Sequence, residues 1–195
     1  MTAPEFDELL RRGEPGGVEF KGSVPRESEG RFKIVRAALG LSNRQDGGFI
    51  VLGVDEDAER IPVPVGVTPD VKAGWTYDNS ADLFSEYADP RIRFEIDHHE
   101  SDGRVFIVFR IHEFDELPVL CKRDGPGLRR GTCYVRPRGR AQTVEVATHE
   151  DMRELIDLAT EKALRRLLRR VDRAGGEVIA PEEGDSYAAE TEGFL

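Results

Sequence analysis

Glu14 and the run Glu19-Phe20-Lys21 are followed one helix-length later by Asn43 and then by Gly47-Gly48-Phe49-Ile50-Val51-Leu52-Gly53-Val54-Asp55-Glu56-Asp57. Carboxylates therefore cluster near the ends of two apolar, strand-like runs. Hard oxygen donors of this kind suit a divalent cation such as Mg2+ or Mn2+ better than an apolar ligand. A cation held there supplies hydroxide from its own hydration shell and offsets charge on a phosphodiester. Lys21 shares a strand face with Glu19, two residues away, and is placed to neutralise a phosphate. The chemistry indicated is metal-assisted work on phosphates, with Glu14, Glu19 and one of Asp55 or Glu56 as candidate ligands. The competing reading of the same residues is plainer. Glu14 and the Asp55 to Asp57 cluster are then ordinary turn acids, and Glu19 pairs with Lys21 or a neighbouring Arg.

The elements that would position these residues follow from periodicity. Phe6, Leu9 and Leu10 are spaced as one face of a short helix over Glu5 to Arg12, which Gly13 ends. Val18 to Gly22 alternates as a strand, with Phe20 inward and Glu19 and Lys21 on the opposite, solvent-facing side. Pro15-Gly16-Gly17 permits a reversal that brings Glu14 back beside Glu19. Arg31 to Ser42 is a helix with a broad apolar face, and Phe49 to Val54 is a continuous apolar strand. That helix makes a crossover, so the two strands lie side by side and Asp55, Glu56 and Asp57 emerge beside Glu19. A long loop over 59 to 77, whose Trp75 and Tyr77 read as a core plug ahead of a base-stacking platform, leads to a short helix over Ser80 to Tyr87. Strands Arg91 to Asp97 and Val105 to His112 form a hairpin through Ser101-Asp102-Gly103. Thr132 to Arg136 is a further strand, and Thr148 caps a helix running to Val171. The predicted fold is α/β (α+β): a mixed, largely antiparallel sheet flanked by helices, over residues 1–173. Residues 174–195 carry six acids and no Lys or Arg, and read as an acidic disordered tail.

These motifs resemble the Schlafen AlbA-type domain, also classed as a divergent AAA-like nucleic-acid- or ATP-binding domain. The likeness rests on Glu14, the spacing to Glu19-Phe20-Lys21, the helix ending at Asn43, Gly47-Gly48 and Gly53-Val54-Asp55. It continues through Arg104 to Ile111, Leu117-Pro118-Val119 and Gly131 to Arg136, and covers roughly Glu14 to Thr143. The resemblance implies a Schlafen-like single lobe. In animal Schlafens this fold works as a metal-dependent endoribonuclease on structured RNA such as tRNA. The catalytic triad there maps onto Glu14, Glu19 and one of Asp55 or Glu56; many relatives have Asp where this chain has Glu56. Animal Schlafen cores also join two related lobes, which implies a homodimer here. A leucine stripe of Leu164, Leu167, Leu168 and Val171 on the last helix either has a partner in a second copy or packs back on its own sheet. No Gly-x4-Gly-Lys-Ser/Thr loop is present, so ATP is not an expected cofactor.

With 28 Lys and Arg against 38 Asp and Glu, the net charge of −10 disfavours a surface that wraps nucleic acid all round. A nucleic-acid site must be local. Lys122, Arg123, Arg129, Arg130, Arg136, Arg138 and Arg140 stand against Asp124 alone, a basic patch able to neutralise several phosphates, with Tyr134 able to stack on a base if exposed. Two lone cysteines indicate neither a zinc knuckle nor a disulfide framework. With no leader-like or membrane-length apolar run, the expectation is a cytoplasmic protein that does not enter a membrane. Three function classes follow: an RNA-directed endoribonuclease, a non-catalytic RNA- or DNA-binding regulatory module, and a protein-interaction module.

Overall fold

A computed structural model describes residues 3–12, 17–57, 59, 61–137 and 142–175. Its helices are α1 (Ala3–Arg12), α2 (Arg31–Ser42), α3 (Pro69–Gly74), α4 (Tyr77–Tyr87) and α5 (His149–Arg173). Its strands are β1 (Val18–Lys21), β2 (Gly48–Leu52), β3 (Val54–Glu56), β4 (Pro62–Pro64), β5 (Ala88–Asp89), β6 (Phe94–Ser101), β7 (Arg104–Ile111), β8 (Leu120–Cys121), β9 (Tyr134–Val135) and β10 (Val144–Glu145). The chain divides into two compact units, Met1–Ala159 and Thr160–Leu195. Glu14, Arg138, Arg140 and the acidic segment 176–195 lie outside the described residues.

The central sheet has the order β1-β2-β7-β6. β1 and β2 are parallel, joined by the α2 crossover, with Glu19 opposite Ile50 and Lys21 opposite Leu52. The other two pairings are antiparallel. The sheet is therefore mixed and largely antiparallel, as predicted. Both faces are covered, because side chains alternate along each strand. Ile50, Leu52, Ile107, Phe109 and Ile111 pack with α2, α3, α4 and Trp75. Val18, Phe20, Val51, Val54, Phe106 and Val108 pack with Phe6 of α1.

Helix α2 spans the residues its apolar pattern predicts, and all but Arg31, Lys33 and Arg36 are buried. Trp75 is fully buried; its indole N–H donates to Val24 O at 2.8 Å and its ring meets Phe109 edge-on. Asp102 and Gly103 both take positive φ in the β6–β7 turn, the signature of the tight hairpin that Asp-Gly predicts.

Two expectations are corrected. The strand expected over Phe49 to Val54 is broken at Gly53, whose φ of +102° only glycine adopts readily. Val54 then starts a separate strand paired with β4. The loop expected over 59 to 77 contains β4 and α3. Thr68 caps α3 by accepting the Val71 N–H, with Pro69 in the first turn. No helix among the described residues is long and apolar enough to cross a membrane.

Candidate nucleic-acid interface

Because β1 is an edge strand and alternates, Val18 and Phe20 point to the α1 side while Glu19 and Lys21 point to the α2 side. There they meet the charged stripe of α2. Lys33 and Arg36, three residues apart, share a helix face. Glu19, Lys21, Lys33, Arg36, Ala37, Gln142, Thr143 and Val144 line a cleft of about 320 Å³. Its far wall approaches α2 closely at Gly40, where an added β-carbon would come within 2.5 Å of Thr143 Cγ2. A residue with a side chain at position 40 would push this wall away.

Glu19 is not solvent-facing. Its side chain is 14% exposed, and its two oxygens are paired separately, Oε1 with Lys21 Nζ and Oε2 with Arg136 Nη1. Arg136 has a fully buried side chain and also donates from Nη2 to Val18 O at 2.5 Å. Lys21 Nζ donates to Phe20 O at 2.8 Å. The plainer reading paired Glu19 with Lys21 or a neighbouring Arg; in the protein Glu19 contacts Lys21 and Arg136.

Arg136 reaches β1 because β9 is anchored by Asn43, the C-cap of α2. Asn43 Nδ2 donates to Val119 O at 2.8 Å and to Tyr134 O at 2.9 Å, while Oδ1 accepts the Val119 N–H at 2.7 Å. Asn43 is itself buried. One side chain thus ties the end of α2 to two distant segments, and two residues after the tied Tyr134 the chain delivers Arg136.

The remaining predicted site residues fall in different places. Asp55 is exposed, and its carboxylate lies over Gly22, with Oδ1 2.1 Å from where a β-carbon would stand. Glu56 is exposed on β3 opposite Pro62. Asp57 holds the β3–β4 turn, its Oδ1 accepting the N–H groups of Glu59 and Ile61. Among the described residues no group of three His, Cys, Asp or Glu side chains is arranged to hold a metal ion. A hard cation needs free carboxylate oxygens. With both Glu19 oxygens ion-paired, the described donors do not by themselves fit Mg2+ or Mn2+; the expected site also needs Glu14.

The basic segment is less uniform than its composition. Tyr134 is fully buried, so it packs and does not stack on a base; its hydroxyl accepts the Arg129 N–H at 2.9 Å, and burial raises its pKa. Arg123 pairs with Glu86 and Arg129 with Glu145. Lys122 and Arg130 are exposed, and the backbone N–H of Arg130 is held by Asp124. The guanidinium of Arg36 sits over the Tyr134 ring, with Nη1 beside Gly127, so the loop bearing Arg129 and Arg130 borders this side of α2. Sequence reasoning missed Lys33, Arg36, Gln142 and Thr143. The signal for the first two was present, as the charges three apart in an otherwise apolar helix.

Residues 14–145 match the family model described as Schlafen, AlbA_2. The chain belongs to the Schlafen AlbA_2 family. That membership supports a nucleic-acid-binding domain. No curated protein matches the chain. Among solved structures, the DIP2311 protein from Corynebacterium diphtheriae superposes with a TM-score of 0.51 at 14% identity. The match covers 77% of this chain and 27% of that one, so the AlbA_2 chain spans about a quarter of that protein, and the likeness is one of fold. The N-terminal domain of an ATP-dependent DNA helicase RecG-related protein from Nitrosomonas europaea matches at 22% identity with a TM-score of 0.48. Here 75% of this chain and 94% of that one are covered.

Proposed function

We propose that this Schlafen AlbA_2 domain binds the phosphate backbone of RNA in the cleft between β1 and α2. One observation carries the reading: Lys21, Lys33 and Arg36 line a cleft in which the one carboxylate among the described lining residues, Glu19, is paired with both Lys21 and Arg136. In a chain of net charge −10 this is a local cationic site, and it calls for an anionic ligand. A polyphosphate chain fits, because it supplies closely spaced charge whose binding releases counterions. The backbone continues from Arg36 past Gly127 to Arg129, Arg130 and Lys122. The preference for RNA follows the resemblance to animal Schlafens.

The test is the salt dependence of RNA binding. Lys33 is exposed, so Lys33→Ala leaves the fold intact, and the loss of one phosphate contact lowers the log–log slope by about 0.7–0.9. Arg36→Gln has a similar effect. Unchanged slopes in both variants would place binding elsewhere.

A second reading, a metal-dependent endoribonuclease, is favoured by the placement of Glu19 in the cleft and of Asp55 over Gly22, directly after Lys21. Mg2+ or Mn2+ would then act with Glu14, Glu19 and Asp55 or Glu56. Incubation of tRNA with and without Mn2+ tests it. Cleavage by the wild type that needs Mn2+ and is lost in Glu19→Gln supports the reading, and absence of cleavage leaves a binding module.

A further inference from the structure

Three segments wall the cleft, and each is held to the next. β1 pairs with β2, and β2 packs against α2. Residues 142–144 meet α2 at Gly40, where Thr143 Cγ2 and Oγ1 would stand 2.5 and 2.8 Å from an added β-carbon. Arg136, one residue past β9, grips Glu19 and Val18 O of β1, while β9 itself pairs with Val144 and Glu145 of β10. The volume of about 320 Å³ lies at the low end of the roughly 300–1,000 Å³ of small-ligand sites. A cleft walled on three sides and of this size takes one compact group at the end of a strand more readily than a backbone running through it.

On the reading that this cleft binds RNA phosphates, we propose that the phosphate it seats is a terminal phosphomonoester, at the 5′ or 3′ end of the strand, in preference to an internal phosphodiester. Charge favours the terminal group. Lys33 and Arg36 form no ion pair among the described residues, and with Lys21 and Arg136 they set four cations against the single carboxylate of Glu19. An internal phosphate brings one negative charge to this surplus. A monoester brings about −1.5 to −2 at pH 7 and a third free acceptor oxygen. A donor for that oxygen is at hand: Thr143 Oγ1 is buried with no hydrogen-bond partner among the described residues, a state that buried hydroxyls rarely keep. Turned into the cleft, its O–H serves the oxyanion. From this seat the strand leaves past Gly127 toward Arg129 and Arg130.

Short RNAs of one sequence and one internal fluorescent label, bearing a 5′-phosphate, a 3′-phosphate or hydroxyls at both ends, are titrated with the full chain. One of the phosphorylated RNAs should bind about tenfold tighter than the unphosphorylated one, and which of the two does so identifies the end. Lys33→Ala and Arg36→Gln should each remove most of that advantage. Thr143→Val, which keeps the shape and loses the hydroxyl, should reduce it without lowering the thermal midpoint. Equal binding of all three RNAs overturns the proposal and leaves backbone binding standing, whereas absence of binding by all three overturns both. An advantage that survives Lys33→Ala and Arg36→Gln puts the terminal phosphate elsewhere and likewise overturns the proposal.

Discussion

Glu19→Ala is expected to lower the stability of the domain by about 3 kcal/mol, because it removes a carboxylate that pairs with the buried Arg136 guanidinium. The bond to Val18 O would be kept, but a carbonyl does not neutralise a charge. For a chain of this size the loss corresponds to roughly 10 °C in thermal midpoint. Glu19→Gln, which keeps the shape and an acceptor, should fall between. Replacing both residues, as Glu19→Gln with Arg136→Met, should recover part of the loss, since the buried guanidinium is removed along with the carboxylate it pairs with. Equal thermal midpoints for wild type and Glu19→Ala would refute this account of the pair. The result also governs how activity data are read. Loss of function in Glu19→Ala does not identify a metal ligand unless the protein is shown to be folded at the assay temperature.

Asn43→Ala should be comparably damaging. It leaves Val119 N–H, Val119 O and Tyr134 O without the three bonds of 2.7–2.9 Å that Asn43 makes. Each buried group stripped of its partner costs on the order of 1–3 kcal/mol, and partial relaxation makes about 3–4 kcal/mol the expected total. Asn43→Asp is informative as well. It keeps the acceptor for Val119 N–H but puts a carboxylate oxygen against two carbonyls, so it should be no better than Ala. A fall in denaturant midpoint without a change in slope is the expected signature. A near-neutral Asn43→Ala would show that α2 and β9 are held together by packing alone.

The scaffold was more legible than the site. Helix α2, strand β1 and the β6–β7 hairpin each declare themselves within a dozen residues, through apolar spacing or an Asp-Gly turn. Gly53 was misread because Val54 prolongs an apolar run across a backbone break that lies in φ, not in hydropathy. β4 was missed because Pro62 and Pro64 argue against a strand, yet it is one half of a two-stranded ribbon, where missing N–H groups are tolerated. At the site, strand periodicity put Glu19 and Lys21 on one face, where they pair. Its third member did not: Arg136 is 117 positions away and arrives through the Asn43 anchor, which no local pattern encodes. Composition put Arg136 in a basic patch and left Tyr134 to stack on a base if exposed, whereas Tyr134, in β9, and Arg136, just after it, are both buried.

Backbone amide shifts on titration with a short single-stranded RNA test the central claim most directly. The account predicts the largest changes at Lys21, Lys33, Arg36 and Gln142 to Val144, with smaller ones at Arg129 and Arg130. Shifts confined to surfaces away from β1 and α2, with the cleft silent, would contradict it.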